Sequence, residues 1–254
     1  MHFAKQADRF LCAARRLRWL ALAAVVLSGP AVADLTPYAA VYKVKISILT
    51  GELRTRLTRT GDGYVAVHEL EPKGVAKMFV DGGVTETASF RIGEDGIVPV
   101  HFVTSDSVSK DGIEADIRFD PEANAIVGVV NGEAVREPIE GNVHDRVSIQ
   151  YALMRDLMTN APETHYVLYE FDKFKPLEVT RAGRKEIDVP AGRFDAIGIR
   201  HQSEGSSRVT TLWCVEELDY LPAMIEQHRD GKLTFRATLE EYEAGNVAVA
   251  TRQR

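Results

Sequence analysis

The chain has 254 residues, 31 of them basic and 37 acidic, for a formal net charge of −6. Its 45 % hydrophobic content suits a folded domain and excludes a disordered, collagen-like or disulfide-scaffold chain. The acidic balance argues against nucleic acid as a partner, because nucleic-acid binding rewards basic patches.

The first 33 residues read as a secretory signal peptide. Arg15, Arg16 and Arg18 form a basic region, and the apolar run Trp19 to Leu27 comes next. Gly29 and Pro30 then break the run, and Ala31-Val32-Ala33 has the A-x-A form of a cleavage site. The run is too short for a membrane span, which needs about 20 apolar residues. Arg15-Arg16 reads as ordinary basic charge rather than a twin-arginine signal. Cleavage after Ala33 removes five basic residues and one acidic one. That leaves 26 basic and 36 acidic residues, a net charge of −10, on a chain starting at Asp34. Cys12 leaves with the leader, so Cys214 becomes the only cysteine and no internal disulfide can form. No lipidated cysteine succeeds the apolar run. The expected organisation is a signal peptide over 1–33, one β-rich domain over 34–243 and a polar tail over 244–254, exported to a Gram-negative periplasm. No integral membrane segment is expected after cleavage.

Strand periodicity dominates the mature chain. Tyr38, Ala40, Tyr42, Val44, Ile46 and Ile48 alternate with Lys43, Lys45 and Ser47, as a half-buried strand requires. Leu53, Thr55 and Leu57 continue the pattern against Arg54 and Arg56. The alternating arginines of Leu53–Thr60 predict a guarded sheet edge. Gly61-Asp62-Gly63 turns the chain into Tyr64–Leu70. Further strands are predicted at Val84–Ile92, Ile97–Ser105, Glu114–Phe119, Ile126–Val130 and Ala134–Ile139. Gly93-Glu94-Asp95-Gly96, Lys110-Asp111-Gly112 and Asp120 to Asn124 are turn-rich connectors. Asn131-Gly132 is a type I′ hairpin signal, because both central residues need positive φ.

From Asp145 to Met158 the period becomes helical. Val147, Tyr151, Met154 and Met158 form one stripe, which Ile149, Leu153 and Leu157 widen. A helix so apolar should be buried on several sides. Asp145 is its predicted N-cap, with His144 in the preceding loop. Strands resume at Thr164–Asp172, and Pro162 lies just past the helix. Val179–Val189 and Phe194–Gln202 form a hairpin around Pro190-Ala191-Gly192. Arg208–Val215, Ala223–Arg229 and Leu233–Tyr242 complete the series, with Asp230-Gly231 as a tight turn. No internal repeat interrupts the chain. The fold class is mainly β: a curved antiparallel sheet, an open or half barrel, wrapped around one central α-helix.

Three stretches carry a resemblance. His144-Asp145-Arg146-Val147-Ser148 leads into the helix. Val189-Pro190-Ala191-Gly192-Arg193-Phe194-Asp195-Ala196 forms a hairpin. Trp213-Cys214-Val215 precedes Leu218-Asp219-Tyr220-Leu221-Pro222. With these the chain resembles the Gram-negative envelope family called domain of unknown function 3108, over most of residues 36–243. The resemblance implies a secreted, largely antiparallel β protein, akin at the level of fold to helix-plugged half-barrels of lipoprotein carriers. It carries over no catalytic residue.

The residues alone point to no enzyme. His68, His101, His144, His165, His201 and His228 lack metal-ligand spacing. No nucleophile elbow, phosphate loop or dinucleotide motif is present. His144-Asp145 could be imagined as an acid–base pair, but a helix cap explains the aspartate better. Alternating carboxylates read as the wet face of a sheet, and Cys214 as a buried thiol. No catalytic residue, metal or cofactor is therefore expected. If a ligand binds, it is an apolar envelope molecule, a lipid or acyl chain, and the expected contacts are Tyr151, Met154, Met158, Trp213, Tyr220 and Met224. The alternative is a structural or interaction module that serves envelope integrity by contacting another envelope protein, and a hydrolase with a dispersed site ranks below both. Lys77 to Gly83 is an apolar patch beside a glycine-rich turn, a candidate lip.

Overall fold

A computed structural model describes residues 34–108, 112–160, 165–171 and 173–245. The predicted signal peptide, Lys110-Asp111, Pro162, Thr164, Asp172 and the tail from residue 246 lie outside the described residues.

Alternation builds the first half of the sheet. It contains β1 (Tyr38–Ile46), β2 (Leu49–Thr60), β3 (Gly63–Lys73), β4 (Val84–Gly93), β5 (Gly96–Asp106), β6 (Ile113–Asp120), β7 (Ala125–Val130) and β8 (Glu133–Pro138). In β1, Tyr38, Ala40, Tyr42 and Val44 are buried while Lys43 and Lys45 face out. In β6, Ala115, Ile117 and Phe119 are buried between Glu114, Asp116 and Arg118. One face of each strand therefore supplies core and the other meets water. A short 3-10 turn, Gly74–Met78, interrupts the run between β3 and β4.

The second half contains β9 (Val143–His144), the helix α1 (Ser148–Met158), β10 (His165–Glu170), β11 (Lys173–Val189), β12 (Gly192–Ser203), β13 (Arg208–Val215), β14 (Leu221–Arg229) and β15 (Lys232–Ala244). All fifteen strands of the described residues belong to one sheet. Its order is β8-β7-β6-β5-β4-β3-β2-β1-β15-β14-β13-β12-β11-β10-β9. Every pairing is antiparallel except the short β9–β10 pair. The two halves join through β1 and β15, where Tyr38 lies opposite Ala244. The sheet is not closed: β8 and β9 are its edges.

The turn chemistry agrees with the sequence. Asn131 and Gly132 have φ of 50° and 84°, and Asp230 and Gly231 have 50° and 74°. These are the positive values that two-residue hairpins demand.

Three expectations need correction. Leu53–Thr60 is not an edge, because β2 pairs with β1 on one side and β3 on the other. Its outward arginines meet carboxylates instead: Arg54 pairs with Glu52 and Glu71, and Arg59 with Asp34. His144 is not in a loop. It lies in β9 opposite Leu168 and is 0 % exposed. The strand predicted at Val179–Val189 begins six residues earlier, at Lys173. It runs through Pro176 and a bulge at Arg181/Gly183, where the register shifts. Pro176 and the bulge break the alternation that sequence reading relies on.

Asp145 starts the helix as expected. Its carbonyl accepts from the Ile149 N–H, and its Oδ1 accepts from the N–H groups of Val147 and Ser148, both at 2.8 Å. Ser148 Oγ accepts in return from the Asp145 N–H at 3.1 Å. This is a reciprocal capping box that satisfies otherwise orphan donors. The regular helix begins three residues later than predicted, at Ser148, because the first turn is taken up by the cap. At the far end Asn160 has φ 54° and donates its N–H to the Leu157 carbonyl.

The helix packs on β4 and β5. Its Tyr151, wholly buried, stacks on Phe90 of β4 with ring centroids 5.0 Å apart. The Tyr151 hydroxyl hydrogen-bonds that of Tyr38 on β1 at 3.1 Å, and the ring lies 6.4 Å from His68 of β3. Ala152, Leu153, Met154 and Leu157 are buried as well. Each large apolar side chain so placed contributes roughly 1.5–3 kcal/mol.

Candidate functional site

The face of α1 that carries Ile149, Gln150 and Leu153 borders a cavity of about 880 Å³, whose other walls come from β10 to β14. The apolar part of those walls is Leu168, Phe174, Pro176, Leu177, Val179 and Leu212. Strand alternation explains the selection. Lys175, Leu177 and Val179 share one face of β11, and Arg208, Thr210 and Leu212 share one face of β13. The polar segment Ser203 to Ser206 also lines the cavity.

Charge concentrates at the cavity. Arg146, Lys175, Arg208 and Arg229 line it, against Glu170 and Glu204. Arg146 Nε lies 3.2 Å from Glu86 and its guanidinium stands 5.8 Å from the Phe171 ring centre. Lys175 pairs with Glu170. Burial, with Arg208 and Arg146 nearby, lowers the pKa of Lys175. His201 also lines the cavity, and burial pushes its pKa down to about 4, so it is neutral there at pH 7. A second cavity of about 740 Å³ lies between β10–β11 and the ends of β5 to β8, and shares Arg146, Glu170 and Lys175 with the first.

Behind Arg146 is a buried acidic group. Burial raises the pKa of Glu86, Arg146 opposes this, and Asp145 and Asp106 add to it. Burial raises Asp145 too, against its capping hydrogen bonds. His144 and Asp145 line neither large cavity. Among the described residues, no group of three or more His, Cys, Asp or Glu is placed to hold a metal ion.

The six predicted contact residues fall in separate places, and none lines either large cavity. Tyr151 and Met154 are buried in α1, and the Gln150 amide lies 3.9 Å from Met154 Sδ. Met158 is partly buried at the helix end. Trp213 and Met224 are cross-strand partners. Trp213 neighbours Leu212 in β13 and so points to the other face of the sheet. There its Nε1–H donates to Glu226 at 3.1 Å and Lys185 Nζ sits 3.7 Å over its ring. Tyr220 comes just after the 3-10 turn Glu216–Leu218, with φ 61°. Sequence reading missed Lys175, Arg208 and Arg229, and set His201 aside as a surface or structural histidine. The strand pattern marks their inward face, but only the sheet register brings them to one cavity.

A family model described as "Protein of unknown function (DUF3108)" matches residues 37–238. The chain belongs to this family. The DUF3108 region runs from β1 into β15 and takes in the residues that line both cavities. No curated protein matches the sequence. The fold is similar to the crystal structure of a β-barrel-like protein of domain of unknown function DUF1849 from Brucella abortus, with a TM-score of 0.56 and 11 % identity. The match covers 85 % of this chain and 100 % of that one. At that identity it speaks for the fold alone. A Parabacteroides distasonis protein described as a "putative lipoprotein" matches at 12 % identity over 83 % of this chain and 100 % of that one. Its TM-score of 0.34 is too low to argue from. No helix of the described residues is long and apolar enough to cross a membrane, which says nothing of β-strands.

Proposed function

We propose that this DUF3108 protein is an exported, non-catalytic protein of the cell envelope. Its curved sheet wraps around α1 and leaves a groove for an apolar ligand, a lipid or acyl chain. The observation that carries this is the 880 Å³ cavity between α1 and β10–β14. Its size lies in the range of small-molecule sites, and apolar side chains from a helix and a facing sheet make up much of its wall. The leader-like first 33 residues support the envelope address. The test is native mass spectrometry of residues 34–254, exported to a periplasm and purified without detergent, with titration by a neutral fluorescent apolar probe. A discrete adduct lost in organic solvent, or saturable probe binding, supports the reading. A clean apo mass with no probe binding overturns it.

A second reading is favoured by a different feature. Ile48, Val75, Met78 and Phe79 are 92 %, 66 %, 79 % and 75 % exposed, and sit in the β1–β2 turn and the 74–78 turn that packs on β2. Exposed apolar side chains so grouped suit contact with another envelope protein. Crosslinking from Phe79 in intact envelopes tests it, and recovery of no partner would count against it.

A further inference from the structure

We propose that the groove's occupant carries an anionic head, a carboxylate or phosphate, held by Arg208 and Arg229. The inference rests on the reading that the groove takes an acyl ligand, and it names the class: an anionic amphiphile.

The central observation is a like-charged pair. Arg208 of β13 and Arg229 of β14 lie directly opposite each other in the ladder. Like charges so placed destabilise a sheet. A carboxylate between them would relieve the cost, yet neither arginine has an ion-pair partner among the described residues. Ion pairing varies among the other strand arginines: Arg91, Arg118, Arg136, Arg181 and Arg200 have no ion pair among the described residues, whereas others do. Arg54, Arg59, Arg184, Arg193 and Arg236 all pair with Asp or Glu. What sets Arg208 and Arg229 apart is that they face each other across the ladder and both line the 880 Å³ cavity.

Two more cations face the same space from other elements. Lys175 comes from β11 and Arg146 from the turn before α1. Each has its own carboxylate, Glu170 and Glu86, so these pairs add little net charge and leave the positive field to Arg208 and Arg229. Glu204 is the opposing charge at the rim. On a chain with a net charge of −10 after the leader, these two unneutralised arginines stand side by side on the cavity wall. A guanidinium presents a planar fork that matches the oxygens of a carboxylate or phosphate. From that fork Leu212 leads inward along β13, and Leu177 and Val179 continue the apolar wall on β11. A charged head with an apolar tail satisfies both parts. Nucleic acid would meet an acidic protein around a concave, partly apolar site, which fits it poorly.

The test is displacement of neutral N-phenyl-1-naphthylamine from residues 34–254 by dodecanoate, dodecyl phosphate and dodecanol. The expected result is that one or both anions compete about tenfold or more better than the alcohol, as charge-assisted hydrogen bonds allow. The preference should shrink as salt rises from about 50 to about 500 mM. In the double variant Arg208→Gln/Arg229→Gln the anion-to-alcohol ratio should fall towards one, and Arg229→Gln alone should lower it part of the way. Preference for dodecanoate points to a fatty acid, and preference for dodecyl phosphate to a phospholipid head. Equal competition by all three in the wild type overturns the anionic head while leaving the groove intact. An undiminished preference in the double variant overturns the arginine assignment. Failure of the probe itself to bind overturns the groove reading beneath both.

Discussion

His144 makes the protein sensitive to mild acid in a way that one substitution can isolate. Its side chain is 0 % exposed, its ring lies 6.1 Å from that of Tyr166, and neither ring nitrogen has a hydrogen-bond partner. Burial without a partner disfavours the imidazolium, and the pKa falls from 6.5 to about 4. The unfolded chain therefore binds a proton that the folded chain refuses between those two values. Stability from His144 is fully present above pH 6.5 and is lost as the pH falls towards 4. Linkage gives a loss of about 1 kcal/mol at pH 5.5 and about 2–3 kcal/mol at pH 4.5. Burial pushes His68 and His201 down to about 4 as well, so the wild type has several contributions. The difference between wild type and His144→Leu removes the shared ones. Urea unfolding monitored by tryptophan fluorescence at pH 7, 5.5 and 4.5 measures that difference. It should move against the wild type by the amounts above. A difference that stays flat across the three pH values would refute the reasoning.

Asp145→Ala should cost about 1–2 kcal/mol in urea unfolding at pH 7, because two backbone donors lose their acceptor. Asp145→Asn should cost less, since the amide oxygen still accepts. Gly198→Ala should destabilise by roughly 1–3 kcal/mol in the same assay. A Cβ there would lie 2.8 Å from the Trp213 ring and 2.9 Å from Ala182, and Lys185 and Glu226 hold the ring in place. The Cys214 thiol is buried and its pKa is pushed up to about 12, so Ellman's reagent should leave it unmodified in the native chain 34–254 and react once urea unfolds it.

Sequence alone makes the sheet legible wherever alternation is clean and turns are marked by residues that tolerate positive φ. β1, β6 and the Asn131-Gly132 hairpin are such places. The helix is legible for the same reason, since a stripe through Tyr151 and Met154 has only one period. What escapes is anything set by register between distant strands. Arginines at the edge of a sheet and arginines at its centre look alike in sequence, so β2 reads as an edge when it is not one. A two-residue strand such as β9 has no period at all, so nothing in the sequence lifts His144 out of a loop. Aromatic and methionine side chains, the natural candidates for ligand contact, are good markers of burial. Most of those in this chain go into the core or onto the outer face. The cavity is lined mostly by aliphatic, polar and charged residues, with Phe174 among them, that β10 to β14 bring together, a property of pairing rather than of composition.

The strand order has a consequence for how the two ends of the sheet are connected. Taken as a ring, consecutive strands are neighbours everywhere except between β8 and β9, which the chain connects but no ladder joins. Conversely, β1 and β15 are joined by a ladder while the chain is cut between them, and the Gly245 N–H donates to the Pro37 carbonyl at 2.7 Å. The covalent gap and the hydrogen-bond gap thus occupy different points of one circle, and each is bridged by the kind of bond missing at the other. A circular permutant that linked residues 245 and 34 and opened at 139–142 would bring the two gaps together. Its sheet pairings would then all be between sequence neighbours, which favours fast folding, but nothing would tie β8 to β9. The strand order as it stands gives up that local simplicity and keeps β8 and β9 tethered through the chain.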